Sequence, residues 1–239
     1  MSDATTTPIT PNATVGSARP GWTEMLTGGA FYVIAVGIVS VTLPLIPDDQ
    51  QVVSGIVGLA VSGLIGLAAF AAAVGIRIRR FSVFGLRRTS WKWIIAGAGA
   101  GIACYIVGAI LSAFYIMATG DQQNIQSGYQ AAAAGGVLAY VATILLGSIL
   151  TPLGEELYFR GVVANALGRY DAWVSVLGSA TIFALAHGIN PVLPVAFVVG
   201  IATALLFHKT GSVWPGVAAH ALNNAAASTV PVVVAGLMT

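Results

Sequence analysis

The sequence predicts an all-α fold, a polytopic bundle of seven to eight helices crossing a lipid bilayer, and three observations predict it. Charged residues make up 8% of the 239-residue chain against 57% hydrophobic, where a soluble domain carries about a quarter charged. Uncharged apolar runs recur along the chain, several reaching the ~20 residues that cross about 30 Å of hydrocarbon at about 1.5 Å per residue. The basic residues gather in short loops between these runs, as they do in membrane topologies.

Residues 1–22 are rich in Thr, Pro, Ser and Ala and lack a basic stretch followed by a short apolar run and a cleavage site, so they read as a disordered cytoplasmic tail and not a signal peptide. Residues 23–130 form the N-terminal set of helices, with charge-free spans at 25–46, 52–76 and 93–118. The segments 131–154, 172–188, 191–207 and 212–238 are apolar too, some shorter and some interrupted by Pro or Gly. Residues 131–230 read as the functional core and 231–239 as the end of the last helix. As one straight helix, 131–168 would be about 57 Å long, more than a crossing needs, so a break or kink is expected at Pro152–Gly154.

Six of the ten basic residues, Arg77, Arg79, Arg80, Arg87, Arg88 and Lys92, lie in the loop 77–92, which the positive-inside tendency assigns to the cytoplasm. Counting crossings from there puts the N-terminus inside, Asp48 and Asp49 outside, the stretch Asp121–Gln130 outside, and Arg169 and Lys209 inside. Arg169 and Lys209, which lie outside the loop that sets the orientation, agree with it. The formal charge of +2 gives no reason to expect nucleic acid as a partner, and with Cys104 the only cysteine no intrachain disulfide can form. Gly97 and Gly101, four apart in an apolar helix, are a helix-packing signal. No repeat of solenoid type and no inverted pair of broken helices is visible.

Ionisable side chains are costly at bilayer depth and mark cavities, partners or function. In the apolar segments they fall into three clusters. The first, Thr151-Pro-Leu-Gly-Glu155-Glu156-Leu-Tyr-Phe-Arg160, sets Glu156 and Arg160 four apart on one helical face as an ion pair and leaves Glu155 as the acid with a task. The blander reading is that both acids only satisfy Arg160 at a span end. The second, Phe183-Ala-Leu-Ala-His187-Gly188, ends a helix on a histidine, which alone is more often a cap. The third, His220-Ala-Leu-Asn-Asn224, puts an imidazole and an amide on one face, where they could also be interhelical glue. Measured from cytoplasmic turns near 168–171 and 209–210, Glu155 and His187 fall about 22 and 24 Å deep, and His220 and Asn224 about 15 and 21 Å. Four polar groups from three helices can therefore converge.

A carboxylate and an imidazole around one water can activate it as a nucleophile, and a second imidazole with an amide can hold the oxyanion formed on a peptide carbonyl. In that order and context, Glu155-Glu156-x-x-x-Arg160, Phe183-x-x-x-His187 and His220-x-x-x-Asn224 resemble the three motifs of the CAAX-protease and bacteriocin-processing family of intramembrane proteases. That family includes the eukaryotic CAAX-processing endopeptidase of prenylated proteins and prokaryotic members labelled abortive-infection proteins. The resemblance covers about residues 130–228; the N-terminal helices match only in hydropathy and in the basic loop around Phe84-Gly-Leu-Arg-Arg. It implies water activation by Glu155 and His187, oxyanion binding by His220 and Asn224, and structural support from Glu156, Arg160 and Phe183. It also implies a membrane-associated peptide or protein substrate and a place in a prokaryotic plasma membrane. No cofactor is expected, although Glu155, His187 and His220 could supply three zinc ligands if the enzyme were a metalloprotease. Two other classes compete: a proton-coupled carrier built on buried Glu and His, and a non-catalytic membrane scaffold or immunity protein. His208 beside Lys209 reads as a boundary anchor, and Tyr158 and Phe159 as either groove lining or interhelical packing.

Overall fold

The computed structural model describes residues 19–238; of the expected tail, residues 1–18 lie outside the described residues. The described residues fold as eight helices: α1 (Trp22–Thr42), α2 (Gln51–Ile76), α3 (Trp91–Thr119), α4 (Ser127–Ala134), α5 (Val137–Leu167), α6 (Ala172–Ala186), α7 (Leu193–Thr210) and α8 (Trp214–Leu237). Short 3₁₀ turns complete the secondary structure, and the described residues contain no strand. Helices α1, α2, α3, α5, α7 and α8 are each long and apolar enough to cross a membrane. Large apolar side chains such as Val33, Ile34, Phe114 and Leu138 are exposed on the outside of the bundle, as the hydrocarbon of a bilayer requires. The chain is an integral membrane protein.

Helix α5 is the centre of the bundle. From Gly154 to Ala164 every residue is buried, and Leu157, Phe159, Val162 and Val163 pack into one core with Phe70 and Ala73 of α2, Phe183 of α6 and Val199 of α7. A helix enclosed on all sides has no solvent face on which to leave a charge. Glu155, Glu156 and Arg160 are therefore buried together with the apolar residues.

The break expected at Pro152–Gly154 lies elsewhere. The chain turns at Gly135–Gly136, where Gly136 takes φ +98°, a left-handed conformation that glycine adopts without a Cβ clash. Beyond it α5 runs unbroken through Pro152, because Leu146–Leu150 and Leu157–Ala164 are wound as π-helix. Pro152 has no N–H to give and its ring crowds the carbonyl four residues back, and the wider winding just before it accommodates both.

Glycines set the crossings. A Cβ on Gly66 of α2 would stand 2.5 Å from the carbonyl carbon of Gly154 and 2.8 Å from the Glu155 nitrogen, so the two backbones touch beside the first glutamate. Gly97 and Gly101 of α3 abut the backbone of Pro215 and Ala219 in α8, the close helix contact read from their spacing.

Polar contacts gather the loops onto two opposite faces. On one, Arg77 forms a forked pair with Glu24, at 2.9 and 3.1 Å, and Glu24 also accepts from the Gly21 N–H. Trp22 Nε1 donates to the Tyr170 hydroxyl, Asn165 to the Val83 carbonyl and Arg87 Nε to the Gly211 carbonyl. The start of α1, the loop 77–92 and the turns after α5 and α7 thus share a face, the grouping that the crossing count requires. On the opposite face Gly55 meets Gly128, and Ser112 donates to the Pro191 carbonyl.

Candidate active site

Ring contacts and ion pairs draw the three polar clusters of α5, α6 and α8 together, and α2 contributes a fourth element. Arg160 Nε lies 3.1 Å from Glu156 Oε2, both side chains fully buried. The pair holds by proximity, since neither atom meets hydrogen-bond geometry. The guanidinium is fixed on two further sides: Nη2 donates to the Gly200 carbonyl at 3.3 Å, and its carbon stands 4.6 Å from the centre of the Phe183 ring. The other oxygen of Glu156, Oε1, faces His220 Nδ1 at 3.0 Å. A carboxylate oxygen only accepts, so Nδ1 carries the proton. Gly216, one turn earlier on α8, leaves room for this contact, because a Cβ there would lie 2.9 Å from Glu156 Oε2.

With Nδ1 held by Glu156, the opposite nitrogen of His220 points at Glu155, with Nε2 3.8 Å from Oε2. Glu155 Oε1 accepts from Ser62 Oγ of α2 at 3.3 Å, whereas Oε2 is buried and has no hydrogen-bond partner among the described residues. Two neighbouring glutamates therefore have different surroundings. Glu156 is clamped by a guanidinium and an imidazole; Glu155 has one oxygen tethered and one bare.

Phe183 is the hub of the aromatic packing. Its ring centre lies 4.7 Å from that of His187, 5.6 Å from that of His220 and 5.0 Å from that of Phe159, all edge to face. His187 caps α6, and at about 1.5 Å per residue the fifteen residues of α6 rise only about 22 Å, short of the about 30 Å of a hydrocarbon core. His187 Nδ1 sits 2.9 Å from the Phe183 carbonyl. A carbonyl cannot donate, so Nδ1–H does, and in the neutral ring Nε2 is the acceptor. His187 and Glu155 share no hydrogen bond or ion pair among the described residues, and His187 is half-buried. Asn224 is locked at both ends of its amide: Nδ2 donates to the Gly147 carbonyl at 2.9 Å, and Oδ1 accepts from Asn223 at 3.1 Å. The second Nδ2 hydrogen remains for another acceptor.

Three participants are not among the assigned motif residues: Ser62, Gly147 and Asn223, the last at an unassigned position of the third motif. Ser148 Oγ and Asn223 Oδ1 are further buried atoms without partners. Tyr158 and Phe159 are packed, not groove-lining. Both are buried, Tyr158 donates to the Met25 carbonyl at 3.0 Å, and Tyr32 stacks against it. His208 is exposed in the last turn of α7. As for zinc, no three His, Cys, Asp or Glu side chains among the described residues gather closely enough to hold an ion. The set Glu155, His187 and His220 does not fit a metal as these side chains stand.

Fold and site together define a helical membrane protein with a buried Glu–Glu–Arg–His cluster at the centre of its bundle. Residues 136–226, from the turn before α5 into α8, match the family model described as Type II CAAX prenyl endopeptidase Rce1-like, in agreement with the resemblance read from the three motifs. That segment contains all seven motif residues from Glu155 to Asn224 and none of α1 to α4. No curated protein and no solved structure matches the chain.

Proposed function

We propose that the chain is an intramembrane endopeptidase that hydrolyses a peptide bond in a membrane-associated peptide or protein, with Glu155 as general base. The observation that carries this reading is the bare Glu155 Oε2, a buried carboxylate oxygen aimed at an imidazole nitrogen 3.8 Å away. Leaving such an atom unbonded costs about 1–3 kcal/mol, and a water or a substrate group between Oε2 and His220 offsets that cost.

In the proposed reaction Oε2 takes a proton from a water that His187 Nε2 helps to orient, and the water oxygen bonds to the scissile carbonyl carbon. The carbonyl oxygen becomes an oxyanion that accepts from the free Asn224 N–H and from His220 Nε2. For Nε2 to donate, that ring must carry a proton on each nitrogen. As the tetrahedral intermediate collapses, Glu155 passes its proton to the departing amine, the C–N bond breaks, and carboxylate and amine products result. Both oxyanion donors are held before substrate arrives, one by Glu156 and one by Gly147 and Asn223, which is the arrangement that makes such donors effective.

A carrier reading would need the buried acid to alternate between two exposures. Beyond Arg160 on their own helix, the histidine and serine contacts tie the glutamates to α8 and α2, which favours a fixed site. The direct test is incubation of the purified protein in detergent with a quenched library of membrane-associated peptides, with products read by mass spectrometry. Internal cleavage by wild type, its loss in His187→Ala and His220→Ala, and no effect of a zinc chelator are expected. Equal cleavage by the variants would remove the assigned site, and loss with chelator that zinc restores would replace the glutamate mechanism with a metal one.

A further inference from the structure

Away from the glutamates, a cavity of about 530 Å³ opens on the face that carries the loop 77–92. Arg19, Arg87 and His208 line it together with Ser82, Asn165 and Ser175, and no carboxylate does. Neither arginine nor the histidine forms an ion pair among the described residues. The acids described on this face are engaged elsewhere: Glu24 pairs with Arg77, and Asp171 caps α6 by accepting from the Trp173 N–H.

The donors left over point to an anion. Arg87 spends Nε and Nη2 on the Gly211 and Thr210 carbonyls, at 2.7 and 3.2 Å, and has Nη1 to spare. Asn165 uses one N–H on the Val83 carbonyl and keeps the other. Helix C-termini border the cavity and would repel an anion, but three carbonyls there are covered: Ala164 by the Ser175 hydroxyl at 2.7 Å, Gly211 and Thr210 by Arg87.

The level of the cavity says which anion. Trp22, Phe81, Trp91, Tyr170 and Trp173 are all exposed around the same face, and aromatic residues of this kind mark the headgroup layer. We propose that this cavity binds the phosphate of an anionic phospholipid headgroup, with Arg19 and Arg87 as its charged ligands and Ser82 and Asn165 as donors. The bound lipid ties the start of α1, the basic loop and the turn after α7 to one molecule, some ten residues along α5 from Glu155.

The test uses the full chain purified in a neutral detergent and native mass spectrometry with phosphatidylglycerol, phosphatidylcholine and inorganic phosphate as separate probes. One phosphatidylglycerol is expected to bind in preference to phosphatidylcholine. Arg19→Gln and Arg87→Gln are each expected to weaken it about fivefold, the worth of one basic residue at an anionic surface, while Lys92→Gln, on the same loop but outside the cavity, leaves it unchanged. Arg19→Gln removes no side-chain hydrogen bond to any of the described residues, so its result stands even if Arg87→Gln fails to fold. Equal binding of the two lipids, or equal losses in Lys92→Gln and Arg19→Gln, would overturn the proposal. Displacement by millimolar inorganic phosphate would reassign the cavity to a soluble anion. Displacement by a short peptide with a free C-terminal carboxylate, but not by its amide, would reassign it to a peptide tail.

Discussion

At the scale of single residues, two adjacent glutamates differ because their partners differ. Glu156 lies between Arg160 and His220, so Glu156→Gln leaves a buried guanidinium without its counter-charge. A loss of about 3–5 kcal/mol is expected, read as a lower melting temperature in detergent, and adding Arg160→Met should return part of it by removing the stranded charge. No recovery in the double variant would mean that the pair matters for another reason. The i, i+4 spacing made this pair legible in the sequence, as the three motifs made legible which side chains had to be explained. Ser62 and Asn223 were not legible. One serine in an apolar helix carries no signal of its own, and its reach to Glu155 exists only because α2 and α5 touch backbone to backbone at Gly66 and Gly154.

At the scale of elements, that crossing is what sets the position of Glu155, and glycine is required there for space. Replacing glycine by alanine in an open helix face stabilises by up to about 1 kcal/mol, and Gly37 of α1, with nothing near a Cβ, should behave that way. Gly66→Ala should do the opposite, because the added carbon meets the Gly154 carbonyl and the Glu155 nitrogen. Overpacking of this kind costs about 1–3 kcal/mol. Thermal melts of the two variants should therefore move in opposite directions, and movement in the same direction would contradict the role given to the crossing. The winding of α5 was the least legible element. Hydropathy does not distinguish α-helix from π-helix, and a proline inside a long apolar run reads as a break when nothing in the sequence shows that the turn before it widens. Gly135–Gly136, which does end a helix, looked like one more pair of small residues in a run full of them.

At the scale of the whole molecule, the number and order of helices followed from hydropathy, because lipid imposes the same length on every crossing. The grouping of loops onto two faces agrees with the alternation counted from the charges, and the positive-inside tendency is the ground for proposing that the basic face is cytoplasmic. In a Cys104→Ala background, a cysteine at position 49 should react with a membrane-impermeant maleimide in intact cells and one at position 88 should not; the reverse labelling would invert the topology. The proposed site is also a property of the whole bundle, since α2, α5, α6 and α8 each supply part of it. The central claim, that Glu155 is the base of an intramembrane peptidase, is tested most directly by comparing wild type and Glu155→Gln in one proteoliposome cleavage assay with melting curves measured alongside. A folded Glu155→Gln protein that melts with wild type and cuts nothing is expected. A folded Glu155→Gln protein that cuts at the wild-type rate would contradict it.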